Sequence, residues 1–257
     1  MSARLTFWKR ERQDAVSSEP HKRPGALADF ILGSQDGIVN VLGVILGVAI
    51  ASYAVTNPFK IILAGGLAAT FAESISMGAV AYTSTLARRD HYLGEMERER
   101  KEMDQLPHIE REEVRQILEE WDFHGRELED MTDRIVSKPK AWLQLMMAHE
   151  LNLAPIEETQ PLRSALLVFV AAILGSLIPL VPFILTPVLV SGSVQTQIMY
   201  GIVASLVVSA LTLFLIGWYK AKVTVGRPAR SGAQMTLIGV MSAIAGFGVA
   251  YLVGLLV

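Results

Sequence analysis

The chain of 257 residues contains no cysteine. That excludes a disulfide framework, a cysteine-ligated zinc or iron–sulfur centre and a thiol nucleophile. No strand-like alternation and no internal repeat is visible along it. Its long apolar runs hold no histidine, and none of His91, His108, His124 or His149 follows a glutamate by three residues. The paired Glu-x-x-His signature of di-iron bundles is therefore missing. No Ser–His–Asp set lies in the apolar runs either, which argues against an enzyme. Acidic residues are scarce outside one block. Positions 88–162 hold 19 of the 25 acidic residues against 11 basic ones, a net of −8, while the remainder carries +6. A polar block of that sign repels phosphate, so no nucleic-acid partner is expected.

What the sequence has in excess is apolar surface. It is 51% hydrophobic and 19% charged, with a mean hydropathy of +0.39. Five stretches reach the roughly 20 residues that a helix needs to cross a bilayer. They cover 37–56, 61–87, 164–190, 196–219 and 235–257. They are apolar all round rather than striped, as membrane spans are and soluble surface helices are not. Pro179, Pro182 and Pro187 predict a break in the third. The first is no secretory signal, because it starts near residue 37 and no small-residue cleavage site follows.

The sequence thus predicts an all-α polytopic membrane protein with five transmembrane helices and a helical insertion between spans two and three. Residues 1–28 form a polar, basic arm, disordered or lying on a surface. Spans one and two occupy 29–87, the acidic insertion 88–162, and spans three to five 163–257. Lysine and arginine set the orientation. The arm has six, the loop between spans one and two has only Lys60, the loop between spans three and four and the C-terminus have none, and the loop between spans four and five has Lys220, Lys222, Arg227 and Arg230. This alternation predicts a cytoplasmic N-terminus and a cytoplasmic insertion. Within the insertion, four helices are expected: 88–105 continuing span two, 108–121 after Pro107, 125–136, and 139–152 capped by Ser137.

Spacing picks out the chemistry. Glu95, Glu99 and Glu102 share one helix face, Glu110 and Glu113 share another, and Met146, Met147 and Glu150 lie within about a turn of each other. Packed together, these carboxylates and a thioether suit a divalent cation, with sulfur favouring a transition metal over Mg²⁺ or Ca²⁺. The mutual repulsion of Glu99, Glu102, Glu110 and Glu113 predicts raised pKa values without metal. The competing reading is a solvated helix surface laced with ion pairs, since Arg98, Lys101 and Arg115 stand nearby. In the membrane, Asp36 at the cytoplasmic end of span one and Glu73 near the middle of span two are ionisable groups in an expensive place. Gly43 and Gly47 form a G-x-x-x-G pattern suited to close helix packing.

Several motifs together are similar to those of the vacuolar iron transporters. They are Asp36-Gly37-Ile38-Val39, Ile75-Ser76-Met77-Gly78, His91-Tyr92 before the Glu-rich helices, Trp142-Leu143 with Met146-Met147-x-x-Glu150-Leu151, and Gly175-x-x-Ile178-Pro179-Leu180. The resemblance covers residues 30–257. It implies a homodimeric Fe²⁺/H⁺ antiporter, a secondary transporter that exports Fe²⁺ from the cytoplasm, with Mn²⁺ or Zn²⁺ as further cargo and no cofactor. It carries the domain ligands onto Glu99, Glu102, Glu110, Glu113, Met146 and Glu150, with Met147 adjacent, and the translocation path onto Asp36 and Met77. Glu73 and Glu95 have no counterpart in that pattern and rest on spacing and depth alone. With no targeting feature in view, a prokaryotic cytoplasmic membrane is expected. The alternative is a membrane-anchored metal-sensing or partner-binding helical module without transport.

Overall fold

The computed structural model describes residues 24–53 and 55–256. The arm expected over 1–28 lies outside the described residues up to position 23. Among the described residues every regular element is helical: α1 (Pro24–Ala51), α2 (Pro58–Gln105), α3 (Pro107–Glu120), α4 (Gly125–Val136), α5 (Pro139–Leu145, running on as a π-turn over Met146–Glu150), α6 (Gln160–Leu189), α7 (Val194–Val223) and α8 (Pro228–Leu256). Proline opens most of them, where its missing N–H costs nothing and its fixed φ suits a first turn. Five helices, α1, α2, α6, α7 and α8, are long and apolar enough to cross a membrane.

Helix α2 sets the plan of the molecule. Its 48 residues extend about 72 Å, more than twice a hydrocarbon core of about 30 Å. Only its apolar part fits the bilayer, so the Glu-rich part projects from it without a break. Pro107 then ends the helix, because the residue before a proline is driven out of the α region. Leu106 takes φ −130° and ψ 46°, and α3 starts at once. One residue of turn therefore folds α3 back beside the end of α2.

Helix α6 packs against both α1 and α2, and α8 against α1 and α7. The membrane core joins Leu42 and Ile45 of α1, Ile62 of α2, Leu180 and Phe183 of α6, and Ile198 of α7. Its tightest crossing is α1 on α6. A Cβ at Gly33 would strike the Val168 carbonyl, one at Gly37 the Ala172 carbonyl, and one at Gly175 the Ser34 carbonyl. By contrast, a Cβ at Gly43 would meet Ala243 at 3.8 Å, an ordinary contact. The closest approach thus falls at Gly33 and Gly37, an earlier G-x-x-x-G pair, and not at Gly43. The insertion has its own core, built from Met103, Val114, Leu118, Leu128, Trp142 and Met146.

Four local expectations are corrected. Helix α1 starts at Pro24, thirteen residues before the apolar run, and ends at Ala51 rather than Thr56. Helix α6 is continuous through Pro179, Pro182 and Pro187. In a bilayer no water competes for the backbone, and neighbouring helices can hold such a stretch; the Ser205 hydroxyl of α7 donates to the Pro179 carbonyl at 2.6 Å. Ser137 does not cap α5. Its hydroxyl turns back to the Arg134 carbonyl at 2.9 Å, and Lys138 precedes the helix without a side-chain cap. Finally, the last helix of the insertion does not run as one α-helix to residue 152 but widens into the π-turn.

Candidate metal centre

The fold-back at Pro107 brings two acidic helix faces together. Glu99 of α2 is 1% exposed and Glu110, in the first turn of α3, is 4% exposed. Glu150 closes the group from the π-turn and is itself exposed. One carboxylate oxygen from each of the three lies within 4.8 Å of the others. A negative charge in a helix's first turn is favoured by the exposed N–H groups there, so Glu110 is locally well placed even though its burial is costly.

The polar accounting is unusual. Glu99 Oε1, Glu110 Oε2 and Glu113 Oε2 are buried without a hydrogen-bond partner. Buried carboxylate oxygens left unpaired are destabilising by kilocalories and are rare in native structures. A divalent cation between Glu99, Glu110 and Glu150 would give the first two of these oxygens a partner, since hard and borderline cations take oxygen ligands of this kind. Burial, followed by the hydrogen bond and charge of Glu99, pushes the Glu110 carboxyl up to about 8. Burial, followed by the charges of Glu113, Glu110 and Glu102, pushes Glu150 to about 7 against the pull of Arg98. Burial also raises Glu99, and the hydrogen bond from Glu110 works the other way. Without metal, then, Glu110 holds a proton and donates it to the Glu99 carboxylate. Of the four glutamates expected to be raised by mutual repulsion, Glu99 and Glu110 are raised, with burial ranking ahead of repulsion as the cause, and Glu150 joins them.

The other residues singled out from spacing are distributed around this centre. Glu95 and Glu102 are half-buried at its rim and share Arg98, at 2.7 and 3.6 Å. Glu113 is half-buried beside Glu110's face of α3. Met146 and Met147 are 0% and 3% exposed. The π-turn brings Glu150, four residues after Met146, nearly in line with it, because a widened turn holds more residues than an α-helical one. Arg98 as a clamp across the two rim carboxylates was readable from its i−3 and i+4 spacing to them. The π-turn left no sequence signal.

A second group lies at membrane depth. Asp36 is half-buried and lines a cavity of about 260 Å³ with Gln35, Asn40 and Ser242. The Asn40 amide donates to Glu73, which ties α1 to α2 at this level. Val39, Asn40 and Ser242 also line a larger cavity of about 680 Å³, which continues along Gly43 and Gly47 to Ala51. The two cavities therefore form one groove between α1 and α8, from Asp36 to the end of α1. Met77 is half-buried one turn beyond Glu73 and lines neither cavity.

Together these features define a multi-pass helical membrane protein with a carboxylate cradle at the end of a projecting helix, a plan suited to moving cations rather than to catalysis. The comparisons narrow that class: the chain belongs to the VIT family, whose model matches residues 27–251. It is 32% identical over 237 residues to vacuolar iron transporter 1 of Arabidopsis thaliana, covering 92% of this chain and 90% of that protein. Vacuolar iron transporter 2 of Oryza sativa subsp. japonica is 32% identical over 234 residues, at 91% and 90% coverage. The vacuolar iron transporter of Toxoplasma gondii is 29% identical over 229 residues, at 88% and 74%. The family is one of transporters, and the resemblance read from the motifs is thereby established. These relatives are named for the vacuole and lend no support to a prokaryotic cytoplasmic membrane.

Proposed function

We propose that this chain exports Fe²⁺ from the cytoplasm in exchange for protons, as a homodimer, with Mn²⁺ or Zn²⁺ as further cargo. The observation that carries this reading is the set of buried, unpartnered oxygens on Glu99, Glu110 and Glu113 beside Glu150. Residues 88–162 form the cytoplasmic collecting domain, oriented by the lysine and arginine counts of the loops. There Glu99, Glu110, Glu113 and Glu150 hold the ion, Glu95 and Glu102 draw it in from the rim, and the Met146–Met147 thioethers bias the site toward transition metals. The ion then passes to Asp36 and Met77 in the membrane, where two copies of α1 face each other. Asp36 and Glu73 carry protons in return. Metal arrival expels a proton from a carboxylate and metal departure readmits one. The names of the plant and apicomplexan relatives support iron as the cargo.

The test is metal uptake and internal pH followed in the same proteoliposomes under a pH gradient. Asp36→Asn keeps the shape and the acceptor carbonyl but cannot exchange a proton. The expected result is loss of both fluxes while metal binding by the detergent-solubilised chain persists. Wild-type fluxes in the variant would remove Asp36 from the path. Metal binding without flux in the native chain would favour the anchored metal-sensing module instead. A transport-competent monomer in nanodiscs would remove the dimer.

A further inference from the structure

The loop between α7 and α8 carries a second polar cavity, unrelated to the metal centre. No acidic residue occurs anywhere after Glu158, yet Lys220, Lys222, Arg227 and Arg230 crowd into this one loop and its helix ends. Among the described residues, Lys220, Arg227 and Arg230 have no ion-pair partner. Lys222 is engaged differently, 5.0 Å above the ring of Trp218.

Three of these cations surround a cavity of about 370 Å³. Its lining includes Lys220, Arg227, Arg230, Thr224, Ser231 and Gln234. Ser231 stands in the cavity wall, and its hydroxyl oxygen is buried with no hydrogen-bond partner. The side chains on offer are cations, a hydroxyl and an amide, and no carboxylate stands among them. That is the complement of a phosphate group, which accepts charge-assisted hydrogen bonds from several directions and suits the fixed fork of arginine. Membrane topology asks only that a loop on this side be positive. It does not ask for a polar cavity or for an orphaned hydroxyl in its wall.

The surroundings say where the phosphate comes from. Along the two helices that flank the cavity, toward the membrane, Leu215 and Tyr219 of α7 and Leu237 of α8 are 53%, 51% and 65% exposed. Trp218 and Tyr219 sit at the boundary between apolar helix and charged loop, the usual level of the aromatic belt. Val225, in the loop, is fully exposed. A headgroup phosphate in the cavity would lay its acyl chains along these apolar faces, whereas a free phosphate ion would leave them unused. We infer that the α7–α8 cavity binds the phosphodiester headgroup of an anionic membrane lipid, with Arg227 and Arg230 as the main contacts and Lys220 and Ser231 completing the set. This inference does not depend on the metal cargo or on proton coupling.

The experiment uses the full chain, delipidated in a non-ionic detergent and studied by native mass spectrometry. Phosphatidylglycerol, phosphatidylcholine and inorganic phosphate are the probes. Phosphatidylglycerol should be retained and phosphatidylcholine far less. The Arg227→Gln/Arg230→Gln variant should lose phosphatidylglycerol retention by roughly tenfold or more, as expected for removing two cations beside an anionic headgroup. Ser231→Ala, a milder change, should weaken it by a few-fold through loss of one hydrogen bond, and Arg230→Lys should retain part of it. Tryptophan melting curves that match the native chain's establish that each variant is folded. Equal retention in the double variant and in Ser231→Ala overturns the site. Equal retention of phosphatidylcholine overturns the anionic preference, and displacement by millimolar inorganic phosphate overturns the lipid as its source.

Discussion

At Glu110 the requirements of folding and of metal binding oppose each other. The unfolded chain loses this proton near the ordinary value of 4.5, while the folded chain keeps it until about 8. Across that window the folded state binds more protons, so the stability of the metal-free protein falls as pH rises. Glu150, raised to about 7, acts in the same sense. Glu110→Gln keeps the hydrogen-bond donor to Glu99 and removes the titration. Melting of the metal-free variant at pH 8, read from the emission of the buried Trp142, should therefore show a gain on the order of 1–3 kcal/mol over the native chain. At pH 5 the two should melt alike. The same variant should bind Fe²⁺ or Zn²⁺ more weakly by roughly tenfold or more, the scale on which metal sites lose affinity even for a supporting group. A variant that melts like the native chain at pH 8 would show that the buried proton carries no such cost. In the native chain, metal affinity should drop as pH falls from 8 toward 6, because protons then compete for Glu110 and Glu150.

Among the helices, what could be read from the sequence divides along a physical line. The five spans were legible because a run of about 20 apolar residues has few alternatives. Helix α3 was legible to within a residue because Pro107 is both a stop and a start. The beginning of α1 was not: Asp29, Ser34 and Gln35 look like loop residues, yet they extend a helix whose small residues pack on α6. Nor was the continuity of α6, since proline's penalty in water does not transfer to a helix held by neighbours. At the metal centre, spacing identified the acidic faces through Glu99, Glu102, Glu110 and Glu113. Which carboxylates point inward depends on how α3 and the π-turn dock, and no local pattern encodes that. The α1–α6 crossing offers a direct check on this packing. Gly37→Val should destabilise the detergent-solubilised protein by about 1–3 kcal/mol or more, the usual cost of overpacking, because its new side chain meets the Ala172 carbonyl. Gly94→Ala, on α2 where a Cβ meets open space, should instead stabilise by about 0.5–1 kcal/mol through helix propensity alone. Thermal unfolding of the two variants side by side is the measurement, and equal melting temperatures would count against the tight crossing.

For the whole molecule, the unbroken passage of α2 from bilayer to metal centre turns a matter of connection into one of phase. A loop would let the acidic insertion hang at any bearing, but a helix fixes its compass direction about the membrane normal. Each residue added between Arg89 and Asp90 should swing the cradle by about 100° and lift it by about 1.5 Å. The non-helical return through Pro155, between the π-turn and α6, has the slack to follow, and the Arg89–Glu158 pair at 3.4 Å lies on the membrane side of the insertion point. One added alanine should leave metal binding intact and uncouple it from uptake in proteoliposomes. Seven added residues should bring the cradle back to within about 20° of its bearing, about 10 Å higher, and recover part of the flux. Equal fluxes from the two insertions would mean that the bearing is irrelevant and that ions reach the membrane by free diffusion. If the bearing matters, the height of the cradle above the bilayer is quantised, and evolution can lengthen this helix only by near-whole numbers of turns.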